Sequence, residues 1–388
     1  MDGLIRSTSV ELQRARVFLT WTARILRRPV LMRSGRLRPA MNMMIAVAAV
    51  IFTHLLPART AVAAESEYVD AGRGDVRIVR PSDFDPAEPL PLIMLLHAFA
   101  YSGEIEEAYL SLSSQVDTQR FILCIPNGRR NYTGQRYWNA TDACCDIFNQ
   151  SPDDSGYLRG LVDVVGDAYA IDPRRIHLVG HSNGGFMAHR MICDHDGLFA
   201  GIATLASATY LNPNACTLET PVHVLQVHGT LDLVVFYGGG CFVTGGCYPS
   251  AEMTQRYVAS DNGCGDASDP RGGSIDLIPG GGAESTISTY ASTCSPGGSA
   301  ELWTVPGAGH NPPFGTRFAE NVVAWLLARP SPATGPDGDL NGDGLVTPAD
   351  LGLLLAAWGD CPGCSADLDG NDLVNGLDLG RMIANWTP

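Results

Sequence analysis

Apolar positions along this chain fall into short runs, and between the runs they return with helical spacing. Runs of four to seven mostly apolar residues cover 76–79, 91–97, 121–126, 176–179, 201–206, 222–227 and 300–305. Runs of this length, bounded by turn residues, predict strands buried on both faces of a sheet. The intervening spacing predicts helices over 102–117, 154–169, 186–193, 251–260 and 316–328, with Asp153 or Asp154 placed to cap the second. Strands alternating with helices imply an α/β fold, a mostly parallel sheet with helices on both faces. From 238 to 299 the pattern gives way to Gly, Ser and Cys, which reads as disulfide-pinned excursions around a site.

Both ends of the chain break this pattern. Residues 43–57 are apolar but too few to span a bilayer; arginines precede them, and Ala61-Val62-Ala63-Ala64 follows. This predicts a signal peptide over 1–64, cut near Ala63 or Ala64, and hence a secreted, extracellular protein, or a periplasmic or cell-surface attached one, with no membrane span after cleavage. A start at Met32 would give a compact basic region with Arg33, Arg36 and Arg38, leaving 1–31 as a misassigned start. The main domain is then 65–328, followed by a Pro/Gly linker over 329–338.

The last segment, 339–388, repeats itself. Asp339, Asn341, Asp343 and Asp350, with the carbonyl of Leu345, recur 28 residues later as Asp367, Asp369, Asn371 and Asp378 with Leu373. Oxygens at loop positions 1, 3, 5, 7 and 12 supply a calcium shell. Position 12 is Asp in both copies where an EF-hand has Glu, and Asp372 stands where the first copy has Gly344. Each loop runs into a Leu-Gly helix ending near a tryptophan. This pattern resembles the dockerin repeat, which implies a small all-α module with two calcium loops and a cohesin-like receptor.

Composition narrows the partners. The chain of 388 residues holds 41 acidic and 26 basic residues, all of the latter arginine. Ten arginines and two acids lie in 1–64, so cleavage would leave a charge of about −23, which disfavours nucleic acid and anionic membrane as partners. Eleven cysteines beside an export signal imply disulfides. Proximity suggests Cys193 with Cys216, Cys241 with Cys247, Cys264 with Cys294 and Cys361 with Cys364. Cys144 and Cys145 either bond each other or are split, and Cys124, in an apolar run, is the odd thiol. The spacing does not suit zinc.

The candidate chemistry lies at Gly180-His181-Ser182-Asn183-Gly184, between the run 176–179 and the helix 186–193. A G-x-S-x-G sequence between strand and helix holds its serine on a sharp turn with the hydroxyl exposed. Asn183 N–H then lies at the positive end of the helix, where an oxyanion is stabilised. A nucleophilic serine needs a base, and the base needs an orienting carboxylate. Asp232 follows the strand 222–227, and His310 sits in a glycine-rich loop after 300–305. The rival histidines, His97 and His228, end their strands, where structural hydrogen bonding is expected; the rival acid, Asp261, lies at a helix end. A second oxyanion donor is expected from Ala98 or Phe99.

Together with Leu96-His97, Tyr137-Trp-Asn-Ala-Thr-Asp-Ala-Cys-Cys145, Asp153-Asp-Ser-Gly-Tyr-Leu158, His228-Gly-Thr-Leu-Asp232 and Gly309-His310, these residues make 67–328 resemble a known group. It is that of secreted esterases which includes feruloyl esterases and polyhydroxybutyrate depolymerases, grouped with carbohydrate esterase family 1. The resemblance implies an α/β-hydrolase fold and a Ser182, Asp232, His310 triad that needs no cofactor. The implied substrate is an ester-bearing plant polysaccharide of feruloyl or acetyl xylan type, or a polyhydroxyalkanoate polyester. Trp138 and His181 are expected at the substrate. Such esterases commonly carry His-Gly where this chain has His97-Ala98. The alternatives are a serine peptidase on the same fold and a non-catalytic extracellular binding protein displayed by its C-terminal module. No propeller or cap of the peptidase kind is evident, and the complete triad speaks against the binding protein.

Overall fold

The computed structural model describes residues 64–265, 271–280, 282–290, 294–331, 338–340, 345–361, 364–369 and 371–387. The expected leader, apart from Ala64, lies outside the described residues, as do linker residues 332–337 and the loop positions Asn341 and Asp343.

One ten-stranded sheet carries the main domain. Its strands are β1 (Glu65–Asp70), β2 (Asp75–Arg80), β3 (Leu90–Leu96), β4 (Ile122–Ile125), β5 (Ile171–His181), β6 (Gly201–Leu205), β7 (His223–Gly229), β8 (Arg271–Ile275), β9 (Ser285–Tyr290) and β10 (Ser299–Val305). They lie in the order β1-β2-β4-β3-β5-β6-β7-β10-β9-β8. The six from β4 to β10 in that order are parallel, and antiparallel pairs close both edges.

Alternation along each strand splits the core into two layers. Leu92, Met94, Leu178, Ile202 and Val224 face the helices α2 (Asp154–Ala168), α3 (Asn183–Asp194) and α4 (Ala251–Asp261) through Leu158, Phe186, Met191 and Val258. Ile93, Leu95, Val179, Ala203 and Leu225 face α1 (Gly103–Leu110) and α5 (Thr316–Leu327) through Leu110, Phe318 and Val322. Each fully buried Val, Leu, Ile, Phe or Met side chain among these contributes about 1.5–3 kcal/mol. All seven residues of β3 are buried, which is why its run reads as continuously apolar. Asp153 caps α2 by accepting from Gly156 N–H (2.7 Å).

Within the main domain the structure departs from the sequence pattern at several places. The helix expected over 102–117 stops at Leu110, because Ser111 turns left-handed (φ 56°); a 3-10 turn (Leu112–Gln115) and a single helical turn (Val116–Gln119) continue the path. Besides a two-residue ladder, Gly240–Cys241 with Cys247–Tyr248, the segment 238–299 gives the main sheet two strands, β8 and β9, whose Gly, Ser and Thr content suits an antiparallel edge and lacks the apolar signal of a central strand. At the expected linker, Ser331 is still held by the domain, its N–H donating to Arg174 O (2.8 Å).

The C-terminal segment has its own small core of Val346, Leu354, Ala366, Val374 and Met382. Helices α6 (Pro348–Ala356) and α7 (Gly376–Ala384) are joined across a two-residue ladder, Gly359–Asp360 with Leu373–Val374, so the segment is not wholly helical. The cysteines pair as proximity suggested, Cys144 bonds Cys145, and Cys124 is a buried thiol. No described helix is long and apolar enough to cross a membrane.

Candidate active site

Ser182 occupies the turn between β5 and α3 at φ 52° and ψ −118°, a conformation that side chains rarely adopt. The turn closes only because glycines flank it. A Cβ on Gly180 would lie 2.2 Å from Gly184 O, and one on Gly184 would lie 2.0 Å from Leu96 O. The serine hydroxyl is thereby presented at the C-terminal edge of the parallel strands.

His310 Nε2 lies 3.0 Å from Ser182 Oγ, and His310 Nδ1 lies 2.8 Å from Asp232 Oδ2. The three residues come from the ends of β5, β7 and β10, which lie close in the sheet, and their loops are bonded to one another. Leu231 N–H donates to Ala308 O (2.9 Å) and Gly307 N–H to Thr230 Oγ1 (2.8 Å). Asp232 also accepts from Val234 N–H (2.8 Å) and Val235 N–H (3.0 Å), and His228 Nε2 stands 3.4 Å from it. Burial alone would raise the Asp232 carboxyl. The hydrogen bonds from His228 and His310, the attraction of His310 and the Val234 N–H outweigh it and hold the group well below the usual carboxylate range. The arrangement can therefore orient an imidazole and take up a proton from the serine.

Of the two loop donors, Ala98 N–H is already given to Glu106 Oε2 (2.9 Å). Neither Phe99 N–H nor Asn183 N–H has a protein acceptor among the described residues. Asn183 also fastens the floor of the site: its side chain accepts from Trp138 N–H (2.8 Å) and donates to Trp138 O (2.9 Å).

Two expected substrate contacts are corrected. Trp138 is 0% exposed, its indole N–H donating to His97 O (3.0 Å), so it is packed beneath the site. His181 is also 0% exposed, with Nδ1 2.9 Å from Glu106 Oε1. Residue type alone does not reveal that both side chains point inward. Sequence reading missed Glu106, although the buried positions 103, 106, 107 and 110 of α1 follow helical spacing, and an acid in such a stripe is the available signal.

The rivals have other work. His97 donates from Nδ1 to Ala98 O (2.8 Å) and accepts Gly128 N–H at Nε2 (2.9 Å), and burial lowers it to about 4. His228 donates from Nε2 to Val235 O (2.9 Å), steadying the acid loop. Asp261, raised by burial to about 6, takes no part in the Ser182, His310 and Asp232 contacts.

Farther along the chain, one oxygen each of Asp367, Asp369 and Asp378 lie within 4.8 Å of one another. Asp369 Oδ1 is a buried acceptor without a donor among the described residues. Asp350 and Asp378, read from sequence as ligands, each also complete a capping box at the start of α6 and α7.

The family described as "Putative esterase" matches residues 71–262, a stretch that holds both Ser182 and Asp232. "Putative esterase NocK" from Nocardia uniformis subsp. tsuyamanensis is 29% identical over 178 residues, 45% of this chain and 50% of that protein. "Feruloyl esterase B" from Piromyces equi is 26% identical over 237 residues, 59% of this chain and 41% of its own length. "Bifunctional acetylxylan esterase/xylanase XynS20E" from Neocallimastix patriciarum is 26% identical over 167 residues, 43% of this chain and 22% of its own. The match thus spans half or less of each relative. Residues 71–262 are thus similar in sequence to proteins named as esterases, and they lie in a domain built on a mostly parallel sheet flanked by helices.

Proposed function

We propose that this protein is a secreted serine esterase that removes acyl groups from plant polysaccharide. The observation that carries the reading is the hydrogen-bonded series Ser182, His310, Asp232 on the strained turn at Ser182. Ser182 Oγ attacks the ester carbonyl while His310 Nε2 takes its proton, and Asp232 holds the imidazole and stabilises its charged form. The oxyanion is met by Asn183 N–H and Phe99 N–H. The tetrahedral intermediate collapses, His310 returns the proton to the leaving alcohol, and the acyl group stays on Ser182. Water, deprotonated by His310, then releases the acid.

The acid loop favours a bulky acyl group. Leu231, Leu233, Val234 and Phe236, neighbours of Asp232 in sequence, are exposed, and apolar side chains there would suit an aromatic feruloyl ester better than acetyl. The relatives named for feruloyl and acetylxylan ester cleavage support the polysaccharide class. The same side chains would also suit a hydroxyalkanoate polyester, the second reading. The C-terminal segment serves as a dockerin-like calcium module for a cohesin-like receptor, with Asp367, Asp369, Asn371 and Asp378 and the carbonyl of Leu373 as ligands of the second loop. In the first loop the ligands are Asp339, Asn341, Asp343 and Asp350 and the Leu345 carbonyl. The converging oxygens of the second loop and the orphan Asp369 Oδ1 fit a hard cation.

A panel of methyl ferulate, acetylated xylan, p-nitrophenyl butyrate and polyhydroxybutyrate tests the substrate, with methyl ferulate expected to give the highest kcat/KM. Ser182→Ala and His310→Ala should lower kcat on a soluble ester by about 10⁴-fold or more, and Asp232→Ala by less. A kcat within tenfold of wild type for either of the first two would overturn the triad.

A further inference from the structure

The buried face of α1 carries an acid that the proposed chemistry leaves unused. Glu106 is 0% exposed, and both its oxygens are engaged. Oε2 accepts Ala98 N–H (2.9 Å), and Oε1 lies 2.9 Å from Nδ1 of the equally buried His181. Nε2 of His181 in turn lies 3.4 Å from the backbone oxygen of His310, and the two imidazoles pack with centroids 5.2 Å apart. One turn farther along the helix, Tyr109 packs on His181 (5.6 Å) and donates its hydroxyl to Pro312 O (2.8 Å). One side chain thus joins the oxyanion loop to the residue before the nucleophile and, through it, to the histidine loop. A carboxylate away from water is costly, and an apolar side chain would fill the same space at less cost if filling were its only task.

From this geometry we infer that Glu106 is a positioning residue for ester cleavage. By taking up Ala98 N–H it leaves Phe99 N–H as the donor of its loop, and through His181 it fixes that loop against His310. The inference rests on the triad reading above. It gives the expected departure at Ala98 a physical sense: the N–H at this position is a structural donor to Glu106 and not a donor to substrate.

The test compares two substitutions of similar volume in the full chain. Glu106→Gln keeps an oxygen for Ala98 N–H and an amide for His181, whereas Glu106→Met keeps neither. kcat and KM on p-nitrophenyl butyrate are referred to the folded fraction measured by near-UV circular dichroism. Losing an oxyanion donor costs about 10²–10³-fold in kcat. Glu106→Met should therefore lose about 10²-fold in kcat with KM within threefold of wild type, and Glu106→Gln should recover to within roughly tenfold. A Glu106→Met enzyme within threefold of wild-type kcat overturns the inference, as does an equal loss in both variants or a fall carried by KM alone. Ser182→Ala, measured in parallel, separates the two claims: if it stays active the triad reading fails, whereas a dead Ser182→Ala beside an undisturbed Glu106→Met defeats the positioning role alone.

Discussion

At φ 52° and ψ −118°, Ser182 holds a backbone conformation that costs about 1–3 kcal/mol for a residue with a side chain. Glycine meets no such penalty, although it loses more freedom on folding. Ser182→Gly should therefore be inactive yet more stable than wild type, by about 1 kcal/mol in a urea titration. Equal or lower stability would show that the turn stores no strain. The hydroxyl was readable from five consecutive residues, because a G-x-S-x-G turn is a local object. Phe99 was not separable from Ala98 in the same way, since the distinction depends on Glu106, which reaches Ala98 N–H from a neighbouring helix.

Among the elements, the junction of β5 with α3 tolerates no added atom. A Cβ on Gly184 would enter the backbone of β3, 2.0 Å from Leu96 O, and neither element can retreat without opening the sheet beneath the site. Gly184→Ala is expected to lower stability by about 3 kcal/mol and to abolish activity. Gly160, inside α2, meets nothing within 4 Å, so Gly160→Ala should raise stability by about 0.5–1 kcal/mol and leave kcat unchanged. Thermal melts of the two variants check the contrast, and similar behaviour would mean that the close approach at the turn is not what fixes it. Element order was legible because each central strand is buried on both faces. β8 and β9 were not legible, because polar edge strands share their composition with loops.

For the molecule as a whole, four histidines couple stability to pH. Burial, the largest cause in each case, lowers His97 and His223 to about 4 and His177 and His189 to about 3. The unfolded chain binds these protons near pH 6.5, the native protein only near 3–4, so unfolding takes up protons in between. Their contribution to stability is complete above about pH 6.5 and is lost progressively as pH falls toward 3. Calorimetric unfolding at pH 5 in buffers of different ionisation enthalpy should show this uptake; no uptake would refute it. A second expectation concerns the C-terminal segment, whose own core is five buried residues. Metal binding should supply much of its folding free energy. Chelation should expose it to protease while ester hydrolysis survives, and loss of activity on chelation, restored by calcium, would contradict that separation.

Features that depend on neighbours along the chain are legible in the sequence. They include the strand and helix alternation, the serine turn, the repeated acidic loops and the cysteine pairs close in sequence. Asp232 and His310 were reachable from sequence because each lies just past a recognisable strand, and parallel strands bring those ends together. Which way side chains point and which backbone donors are already spent depends on contacts between elements far apart in the chain. Trp138 and His181 turned inward, and Glu106 took up Ala98 N–H, because packing across the sheet and hydrogen bonds between distant loops set those choices. Their energies come from partners 41, 75 and 8 residues away, which no local pattern encodes.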